Sequence, residues 1–491
     1  MQKKPNILWF CADQMRYDTI HSLGNLHINT PNLDRLIASG VAFTRAYAQS
    51  PVCTPSRASF LTGRYPAAHR VYRNGVDSFP DDEILVTKLF ADAGYECGLV
   101  GKLHLSTATT FEKRPDDGYS WFQWSHTPTP GGADVHNAYH HWLKTEKAAD
   151  PETLFGGDLG FVGAGAPEEL HQTTWCAEMA SRFIHEKKES PWLLSINPYD
   201  PHPPFDPPQS YLDRYNPDDL PPPLFRASDL ERQKMFENVR AQTVKAANPL
   251  LDYDKNEIAL SQAERGYRPP HSYNGRKVKA AYYAMVELID TALGTVMDAL
   301  EESGQLDDTL IIFNSDHGEL LGDHGLLYKG CRFFEGLSHV PLILSWPGRF
   351  KEGLRAEGLT ELIDIAPTIL EAAGLEVLDD IQGCSLIPIA TGEAPAKIHK
   401  ELVLCDFNDS VGYSPVPNQT QATMSFDGRY KLVIYHSHDI GELFDLKNDP
   451  GEFDNMFGRQ EYAELQAKLI LRHTNAWART VVPRGKRVSF A

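Results

Sequence analysis

The segment Asn6-Ile-Leu-Trp-Phe-Cys-Ala12, followed directly by Asp13, decides the fold. Every position from Ile7 to Ala12 is apolar, so the segment has no face suited to water. This pattern is typical of a short strand that is buried on both faces of a parallel sheet. Asp13 then places a carboxylate at the carboxyl end of the strand, which is the edge where open α/β sheets bind their ligands.

Strands and helices alternate along most of the chain in the same way. The sequence predicts strands at 41–48, 95–100, 192–197 and 309–314, and helices at 31–39, 87–93, 174–185 and 277–302. Alternation of this kind implies a mostly parallel sheet. We therefore predict an α/β fold in which a large, mostly parallel sheet is sandwiched by helices.

The chain changes character after a predicted helix at 364–373. Short antiparallel strands precede a terminal helix; they are predicted at 401–405, 430–435 and 442–445, and the helix at 461–478. This pattern indicates a smaller C-terminal α+β domain at 386–491 beside a large α/β domain at 1–385. The proline-rich stretch 201–271 is predicted to be a long excursion over the active edge of the sheet.

Composition excludes several classes of protein. With 491 residues, 42% hydrophobic and 23% charged, the chain has enough apolar residues for a large core and a second unit. A net charge of −19 disfavours nucleic acid and anionic membrane surfaces as partners. No window approaches the roughly 20 apolar residues of a membrane span.

The cysteines and the N-terminus bear on the cellular compartment. The seven cysteines are odd in number, widely scattered and never in C-x-x-C spacing, which argues against a disulfide framework or a zinc site. The apolar run 7–12 is shorter than the core of a signal peptide and lacks a cleavage site after it. The sequence as given therefore favours the cytoplasm, with a periplasmic or secreted location open if a signal peptide was removed.

The most informative segment for chemistry is Ser50-Pro-Val-Cys-Thr-Pro-Ser-Arg-Ala-Ser-Phe-Leu-Thr-Gly-Arg64. Pro55 can open a helix at its first turn, which places Cys53 at a helix N-terminus, where backbone amides favour an anion. Arg57, one turn later, can return over the same point. A buried structural thiol is the alternative interpretation of Cys53.

The string C-x-P-S-R at 53–57, followed by L-T-G-R at 61–64, resembles the signature of the formylglycine-dependent sulfatases of the alkaline-phosphatase-like superfamily. The resemblance implies that a formylglycine-generating enzyme oxidises Cys53 to an aldehyde, whose hydrate supplies the attacking oxygen. A hydrated aldehyde that has accepted a sulfuryl group can expel it by reforming the carbonyl, which avoids hydrolysis of a stable enzyme ester.

Two polar pairs follow predicted strands, Asp13-Gln14 and Asp316-His317. Each aspartate taken alone could be a turn cap. The resemblance implies that these four residues and residue 53 hold one divalent cation. The family more often has a second Asp in place of Gln14 and an Asn in place of His317. We predict calcium, with manganese or magnesium as alternatives because one donor is an imidazole.

Several basic residues complete the predicted site. Lys102 and His104 follow the strand 95–100, and alternation in an extended chain would place them on the same side. The resemblance implies that Lys102 and Lys329 bind the sulfate together with Arg57. It further implies that His104 contacts the nucleophile and that His202, in a proline-stiffened loop, protonates the leaving alcohol. Solvated surface side chains are the alternative for each.

The resemblance covers nearly the whole chain. Framework segments that resemble the family are Thr30-Pro-Asn-Leu-Asp-Arg-Leu36, Pro341-Leu-Ile343, Asp364-Ile-Ala-Pro-Thr368 and Glu442-Leu-Phe-Asp-Leu-Lys-Asn-Asp-Pro-Gly-Glu452. Asp323 and His324, in the loop before Lys329, are predicted to be structural or substrate-facing rather than metal ligands.

Together these patterns predict a metal-dependent sulfatase. The predicted substrate is the sulfate ester of a small molecule or oligosaccharide, and we favour a carbohydrate. Trp121, Trp124, Tyr139 and Trp142 could stack on sugar rings, although aromatic residues are more often packed. The Asp-Gln and Asp-His pairs also resemble the branch with choline sulfatases and phosphonate monoester hydrolases, so phosphonate monoesters or phosphodiesters stay open. A non-catalytic binding module with an unmodified Cys53, and a homo-oligomeric state, are further possibilities.

Overall fold

The computed structural model describes residues 4–107, 112–130, 136–156, 161–186, 188–239, 245–252, 269–408, 420–436 and 438–481. In chain order, its strands are β1 Asn6–Ala12, β2 Val41–Phe43, β3 Ala46–Tyr47, β4 Glu96–Gly101, β5 Trp121–Trp124, β6 Trp192–Asn197, β7 Thr309–Ser315, β8 His339–Val340, β9 Leu342–Ser345, β10 Leu354–Ala356, β11 Thr360–Glu361, β12 Val403–Asn408, β13 Gln421–Phe426, β14 Tyr430–His436 and β15 Ile440–Asp445.

The α-helices in the same ranges are α1 Pro31–Ala38, α2 Cys53–Thr62, α3 Pro66–His69, α4 Val86–Asp92, α5 Ala138–Glu146, α6 Pro151–Phe155, α7 Gln172–His185, α8 Gln209–Leu212, α9 Ala227–Arg232, α10 Gly275–Glu302, α11 Glu335–Ser338, α12 Ile365–Ala372, α13 Ile387–Thr391 and α14 Ala463–Ala478. Among the described residues, no helix has both the length and the apolar character needed to cross a bilayer. The predicted compartment stays a prediction.

A large eight-stranded sheet forms the centre of the molecule. Its strand order is β10-β2-β9-β7-β1-β6-β4-β5, and the run from β7 to β5 is parallel throughout. The register pairs Ala12 with Ser315, and Gly101 with both Asn197 and Trp124. The carboxyl ends of these five strands therefore meet at one edge. The predicted large, mostly parallel α/β sheet is confirmed.

The side chains of β1 alternate between two separate hydrophobic cores. Leu8 and Phe10 pack with residues of α1, α7 and α10, whereas Ile7 and Trp9 pack with residues of α2, α4 and α12. Burial of each such side chain contributes about 1.5–3 kcal/mol. The uninterrupted apolar run is needed because both faces of the strand are covered by helices.

One predicted strand was wrong, and other strands were missed. The run 41–48 is not one strand: β2 joins the large sheet, while β3 joins a small sheet of order β11-β3-β8. The Thr44 backbone N–H still donates to the Ala356 carbonyl of β10, but two residues later Ala46 pairs with Val340 of β8 and Thr360 of β11. The sequence analysis also missed β13, which pairs with both β12 and β14. Its segment carries no continuous apolar run.

The aromatic residues proposed to stack on sugars are packed in the core. Trp124, Tyr139 and Trp142 are at most 2% exposed and belong to the two hydrophobic cores. Trp121 is partly buried against Phe183, with ring centroids 5.1 Å apart. Residues 240–244 and 253–268 of the proline-rich stretch 201–271 lie outside the described residues, as do 108–111, 131–135 and 157–160.

A four-stranded antiparallel sheet of order β12-β13-β14-β15 forms the small C-terminal unit. One face packs with Val52 and Cys331 in a single cluster, and α14 contributes Leu469 and Ile470 to the packing of the other face. Val52 directly precedes Cys53, and Cys331 lies two residues after Lys329. The small sheet therefore supports the two segments that carry the predicted site. The domain boundary at 385/386 stays a prediction.

Candidate active site

The two carboxylates predicted to bind a metal, those of Asp13 and Asp316, directly follow the adjacent strands β1 and β7. The parallel register that pairs Ala12 with Ser315 puts Asp13 beside Asp316, and both side chains are fully buried. The Asp316 carboxylate accepts the backbone N–H of Gln14 at 3.0 Å. Gln14 has a positive φ of 74°, a conformation that a non-glycine residue adopts at some energetic cost. The sheet thus fixes both carboxylates, and the Asp316 carboxylate holds the turn at Gln14.

Cys53 is the first residue of α2. Val52 is extended, and Pro55 lies in the first turn, where its missing N–H costs nothing. The Cys53 sulfur lies 2.9 Å from Lys329 Nζ, 3.1 Å from His317 Nε2, 3.7 Å from Asp13 Oδ1 and 3.9 Å from Lys102 Nζ. The side chain of residue 53 therefore points into the middle of the predicted site.

Four side chains form a group with the geometry of a metal site. One ligand atom each from Asp13, Cys53, Asp316 and His317 lies within 4.8 Å of the others, and all four residues are buried. His317 Nδ1 lies 2.9 Å from the Gly318 carbonyl, so Nδ1 carries the proton and Nε2 presents a lone pair. The position of the imidazole fits a metal ligand.

Gln14 can supply an additional oxygen donor to the same group. Its amide nitrogen donates to the buried carboxylate of Glu319, which turns the amide oxygen towards Lys329 Nζ at 2.8 Å. The resulting donor set is two carboxylates, one amide oxygen and one imidazole. This set suits a divalent cation that prefers oxygen, such as calcium, magnesium or manganese.

Three cationic side chains surround the two carboxylates. Lys102 is paired with Asp13, Arg57 Nε donates to Asp316 Oδ2 at 2.9 Å, and Lys329 lies against Cys53. Arg57 Nη2 is buried and has no hydrogen-bond partner among the described residues. Together with a divalent cation, these three side chains would carry more positive charge than the carboxylates of Asp13, Asp316 and Glu319 can balance. The site is therefore suited to an anion, although the chain carries −19 overall.

These charges shift the pKa of the central groups. Burial raises the pKa of Asp13, but the attraction of Lys102 and Arg57 outweighs it and holds the pKa well below its usual value. Burial and Asp13 raise the pKa of the Cys53 thiol, but Lys102, Lys329 and His317 lower it more. The pocket therefore stabilises negative charge at residue 53.

His202 lies in the loop after β6, as predicted, and is buried against Tyr199, with ring centroids 4.6 Å apart. Its Nδ1 lies 2.7 Å from the Pro203 carbonyl. Burial, and then the positive charges of Lys329 and Lys102, hold its pKa well below the usual value. The ring is therefore neutral in this state, and Nε2 must gain a proton before it can donate one.

Comparison with known proteins decides the family. The sulfatase family profile matches residues 5–375, and the profile described as N-sulphoglucosamine sulphohydrolase, C-terminal, matches residues 322–477. The chain belongs to the sulfatase family. Sulfatases are sulfuric ester hydrolases, and the chain is an enzyme of this class.

Individual relatives agree with this assignment. The sulfatase is 30% identical to an arylsulfatase of Clostridium perfringens, over 94% of this chain and 92% of the relative. It is 27% identical to an N-acetylglucosamine-6-O-sulfatase of Bacteroides thetaiotaomicron, over 95% and 85%. The solved phosphonate monoester hydrolase of Agrobacterium radiobacter superposes with a TM-score of 0.80 at 26% identity, over 97% and 96%. The alkaline-phosphatase-like fold is confirmed.

The sulfatase brings all the predicted site residues to one edge of the sheet, but the backbone that carries Lys102 and His104 differs from the predicted extended chain. They do not alternate along an extended strand, because β4 ends at Gly101 and His104 has a left-handed φ of 58°. A Cβ on Gly101 would lie 2.0 Å from the Asn197 carbonyl oxygen, so this turn requires glycine. Asp323 and His324 have structural partners, as predicted: Arg16 at 2.8 Å, and the ring of Phe334 at 3.9 Å.

Sequence reasoning missed Glu112, which fixes the turn at His104. Its buried carboxylate accepts the backbone N–H groups of His104 at 2.9 Å and Ser106 at 3.1 Å, and that of Leu105 between them. The Trp124 indole donates to the same carboxylate at 3.3 Å. Glu112 thus ties the end of β5 to the turn that carries His104. Charged acceptors with several amide donors are strong anchors.

Glu319 and His126 were also missed. Glu319 orients Gln14 and accepts the backbone N–H of Leu321 at 3.1 Å. His126 comes two residues after β5. It therefore lies just beyond the carboxyl end of a strand, and Asp13 was predicted as a site residue from a similar position after β1. The signal was present in the sequence, but the aromatic segment 121–124 was not interpreted as a strand.

Glu112→Gln is expected to destabilise the sulfatase by about 1–3 kcal/mol, because an amide nitrogen would then face backbone N–H donors. We also expect kcat/KM to fall about 10-fold or more as His104 shifts. Thermal unfolding and steady-state kinetics on a sulfate ester measure the two effects. Asp117→Asn is the matched control, because Asp117 is buried nearby but binds Arg114 and Tyr119. Unchanged kcat/KM in Glu112→Gln would refute the anchoring role.

Proposed function

We propose that this sulfatase hydrolyses the sulfate monoester of a carbohydrate, with an oxygen nucleophile made by oxidising Cys53. The position of residue 53 carries the proposal. Its side chain lies at the N-terminus of α2, within 4 Å of Lys329, His317, Asp13 and Lys102. Lysines and helix amides stabilise an anionic oxygen and a transferring sulfuryl group.

The proposed nucleophile is the hydrate of formylglycine. A formylglycine-generating enzyme would convert the Cys53 side chain to an aldehyde during maturation. A plain thiol at this position would attack through sulfur and leave a product that the enzyme cannot release as sulfate. An aldehyde hydrate instead presents two hydroxyl groups, one to attack and one whose deprotonation releases the sulfate again.

Asp13, Gln14, Asp316 and His317 would hold one divalent cation, for which we propose calcium, with manganese or magnesium as alternatives. When bound, such a cation would lower the pKa of a hydroxyl at residue 53 and neutralise charge on the sulfuryl group. Glu319 keeps the Gln14 amide oxygen turned towards the site, and the Gly318 carbonyl binds Nδ1 of His317, so that Nε2 is the nitrogen that faces the site.

The remaining polar residues divide between the two ends of the transferred group. Lys102, Lys329 and Arg57 Nη2, an atom without a hydrogen-bond partner among the described residues, would bind the sulfate oxygens. His202 would protonate the leaving alcohol after taking up a proton at Nε2, which the negative charge of a bound ester favours. His104 would assist release of sulfate from residue 53. These roles remain proposals.

The carbohydrate part of the proposal is supported by a relative. The Bacteroides protein that is 27% identical over 95% of this chain is named an N-acetylglucosamine-6-O-sulfatase. The alternative substrate is a phosphonate monoester or a phosphodiester, or a choline-type sulfate. The phosphonate alternative is supported by the TM-score of 0.80 to a phosphonate monoester hydrolase, and the choline-type alternative by 29% identity, over 92% of this chain, to a relative named choline-sulfatase. The same cationic pocket would accept either class of anion.

A paired substrate series separates these alternatives. We expect kcat/KM for 4-nitrophenyl sulfate to exceed that for the 4-nitrophenyl ester of phenylphosphonate by at least about 10-fold. The two transition states differ in charge, and one site cannot stabilise both equally well. Glucosamine 6-sulfate and choline sulfate, assayed by sulfate release, then identify the alcohol. A higher kcat/KM for the phosphonate would move the assignment to the alternative.

A further inference from the structure

The edge of the sheet that carries the proposed site extends as far as the end of β5. Along the parallel strands, Asp316 follows β7, Asp13 follows β1, His202 comes after β6, and Lys102 follows β4. The next strand, β5, ends at Trp124, and His126 comes two residues later. Along this edge, His126 is therefore the residue that lies farthest from the carboxylates of Asp13 and Asp316.

The His126 ring is buried and turned towards the site. It is 8% exposed and packs edge-on against His104, with ring centroids 4.5 Å apart and planes at 76°. It interacts electrostatically with Lys102, Asp13 and Arg57, as His104 also does. The ring of Trp124 stacks with that of His126, with ring centroids 6.4 Å apart. Glu112 holds this indole and the His104 turn together, so both imidazoles are fixed.

Both imidazoles lack a partner for one ring nitrogen. Nδ1 of His104 and Nδ1 of His126 are buried and have no hydrogen-bond partner among the described residues. A buried polar atom that is left unpaired costs about 1–3 kcal/mol, so two such atoms side by side in a rigid pocket indicate a ligand that supplies the partner. His473, in the small unit, shows the contrast, because Thr423 and Ser425 bind both of its ring nitrogens.

We propose that His126 is a further catalytic residue that hydrogen-bonds the leaving-group side of the ester; this inference rests on the proposed function. In an in-line displacement, the leaving oxygen lies across the sulfur from the nucleophile. Residue 53 and the carboxylates lie at β1 and β7, so the leaving alcohol lies towards β4 and β5. There the unpaired nitrogen of His126 meets an oxygen that gains negative charge as the bond to sulfur breaks.

The test compares His126→Phe with His126→Asn on two kinds of ester. Phenylalanine fills the space of the imidazole without hydrogen bonding, whereas asparagine keeps a polar atom near the position of Nδ1. We expect His126→Phe to lower kcat/KM for a sugar sulfate about 10- to 100-fold. The loss should be smaller for 4-nitrophenyl sulfate, whose leaving group needs less stabilisation. His126→Asn should recover part of the sugar sulfate activity.

His473→Phe is the matched control, since it makes the same change at a buried histidine outside the site; its kcat/KM per folded molecule should equal that of wild type. Metal content and Tm of the His126 variants check that the fold persists. Unchanged kcat/KM in His126→Phe, or an equal loss on both esters, would overturn the inference. If the wild type hydrolyses phosphonates rather than sulfates, the proposed function fails, and the same comparison on phosphonate esters still tests His126.

Discussion

Cys53→Ala should lower kcat/KM for sulfate ester hydrolysis at least about 10⁴-fold, because it removes the proposed nucleophile and leaves only the binding groups. The fold should persist, since the change removes one buried atom at the start of α2 and keeps the helix. Steady-state kinetics and circular dichroism measure the two outcomes. Turnover at the wild-type rate in this variant would contradict any covalent role for residue 53.

Cys53→Ser refines the test. Serine offers an oxygen in the same place but lacks the second hydroxyl of an aldehyde hydrate. We expect it to react at most once per molecule, because the resulting sulfate ester has no internal route of release. Cys176→Ala is the matched control: Cys176 is equally buried, on α7, away from the site. It should keep wild-type kcat/KM per folded molecule.

Asp316→Asn is expected to lower kcat/KM at least about 10³-fold and to remove most of the bound divalent metal. The carboxylate belongs to the four-residue group, and it also accepts Arg57 Nε at 2.9 Å and the backbone N–H of Gln14 at 3.0 Å. Loss of its charge weakens cation binding and leaves the buried Arg57 guanidinium with the Asp13 carboxylate at 3.7 Å and the Lys102 carbonyl at 3.2 Å. Metal analysis of the purified variant gives a readout independent of activity.

Chelation of the wild type should reproduce this result. Removal of the ion should lower Tm, because a ligand at about 100 times its Kd stabilises the folded state by about 2.7 kcal/mol. Asp290→Asn is the control, as its buried carboxylate accepts the backbone amides of Asn32 and Leu33 outside the site. It should lose stability and keep its metal. Full metal content in Asp316→Asn would exclude the assigned ligands.

The parts of the fold that were predictable have strong local patterns. The continuous apolar runs of β1, β6 and β7 fixed those strands to within one residue, and the carboxylates after β1 and β7 followed from them. The split between β2 and β3 was not predictable, because strand exchange between sheets depends on distant partners such as Val340 and Thr360, which pair with Ala46. The missing β13 is held by cross-strand pairing rather than by its own composition.

The predicted site residues were found from a motif and from their positions after strands. The residues that were missed act through tertiary contacts. Glu112 was only one carboxylate in a loop until the fold placed the amides of 104–106 around it. The position of His126 in the site depends on the pairing of β5 with β4, because this pairing brings its ring against that of His104. Local sequence carries no record of which strands become neighbours.

Mass spectrometry of the tryptic peptide 46–57 tests the central claim most directly. The enzyme should be prepared with and without a formylglycine-generating enzyme, and specific activity measured on each preparation. We predict that residue 53 of the active preparation carries an aldehyde in place of the thiol, and that activity rises in proportion to the aldehyde fraction. Full sulfatase activity in a preparation whose residue 53 is entirely unmodified cysteine would contradict the account.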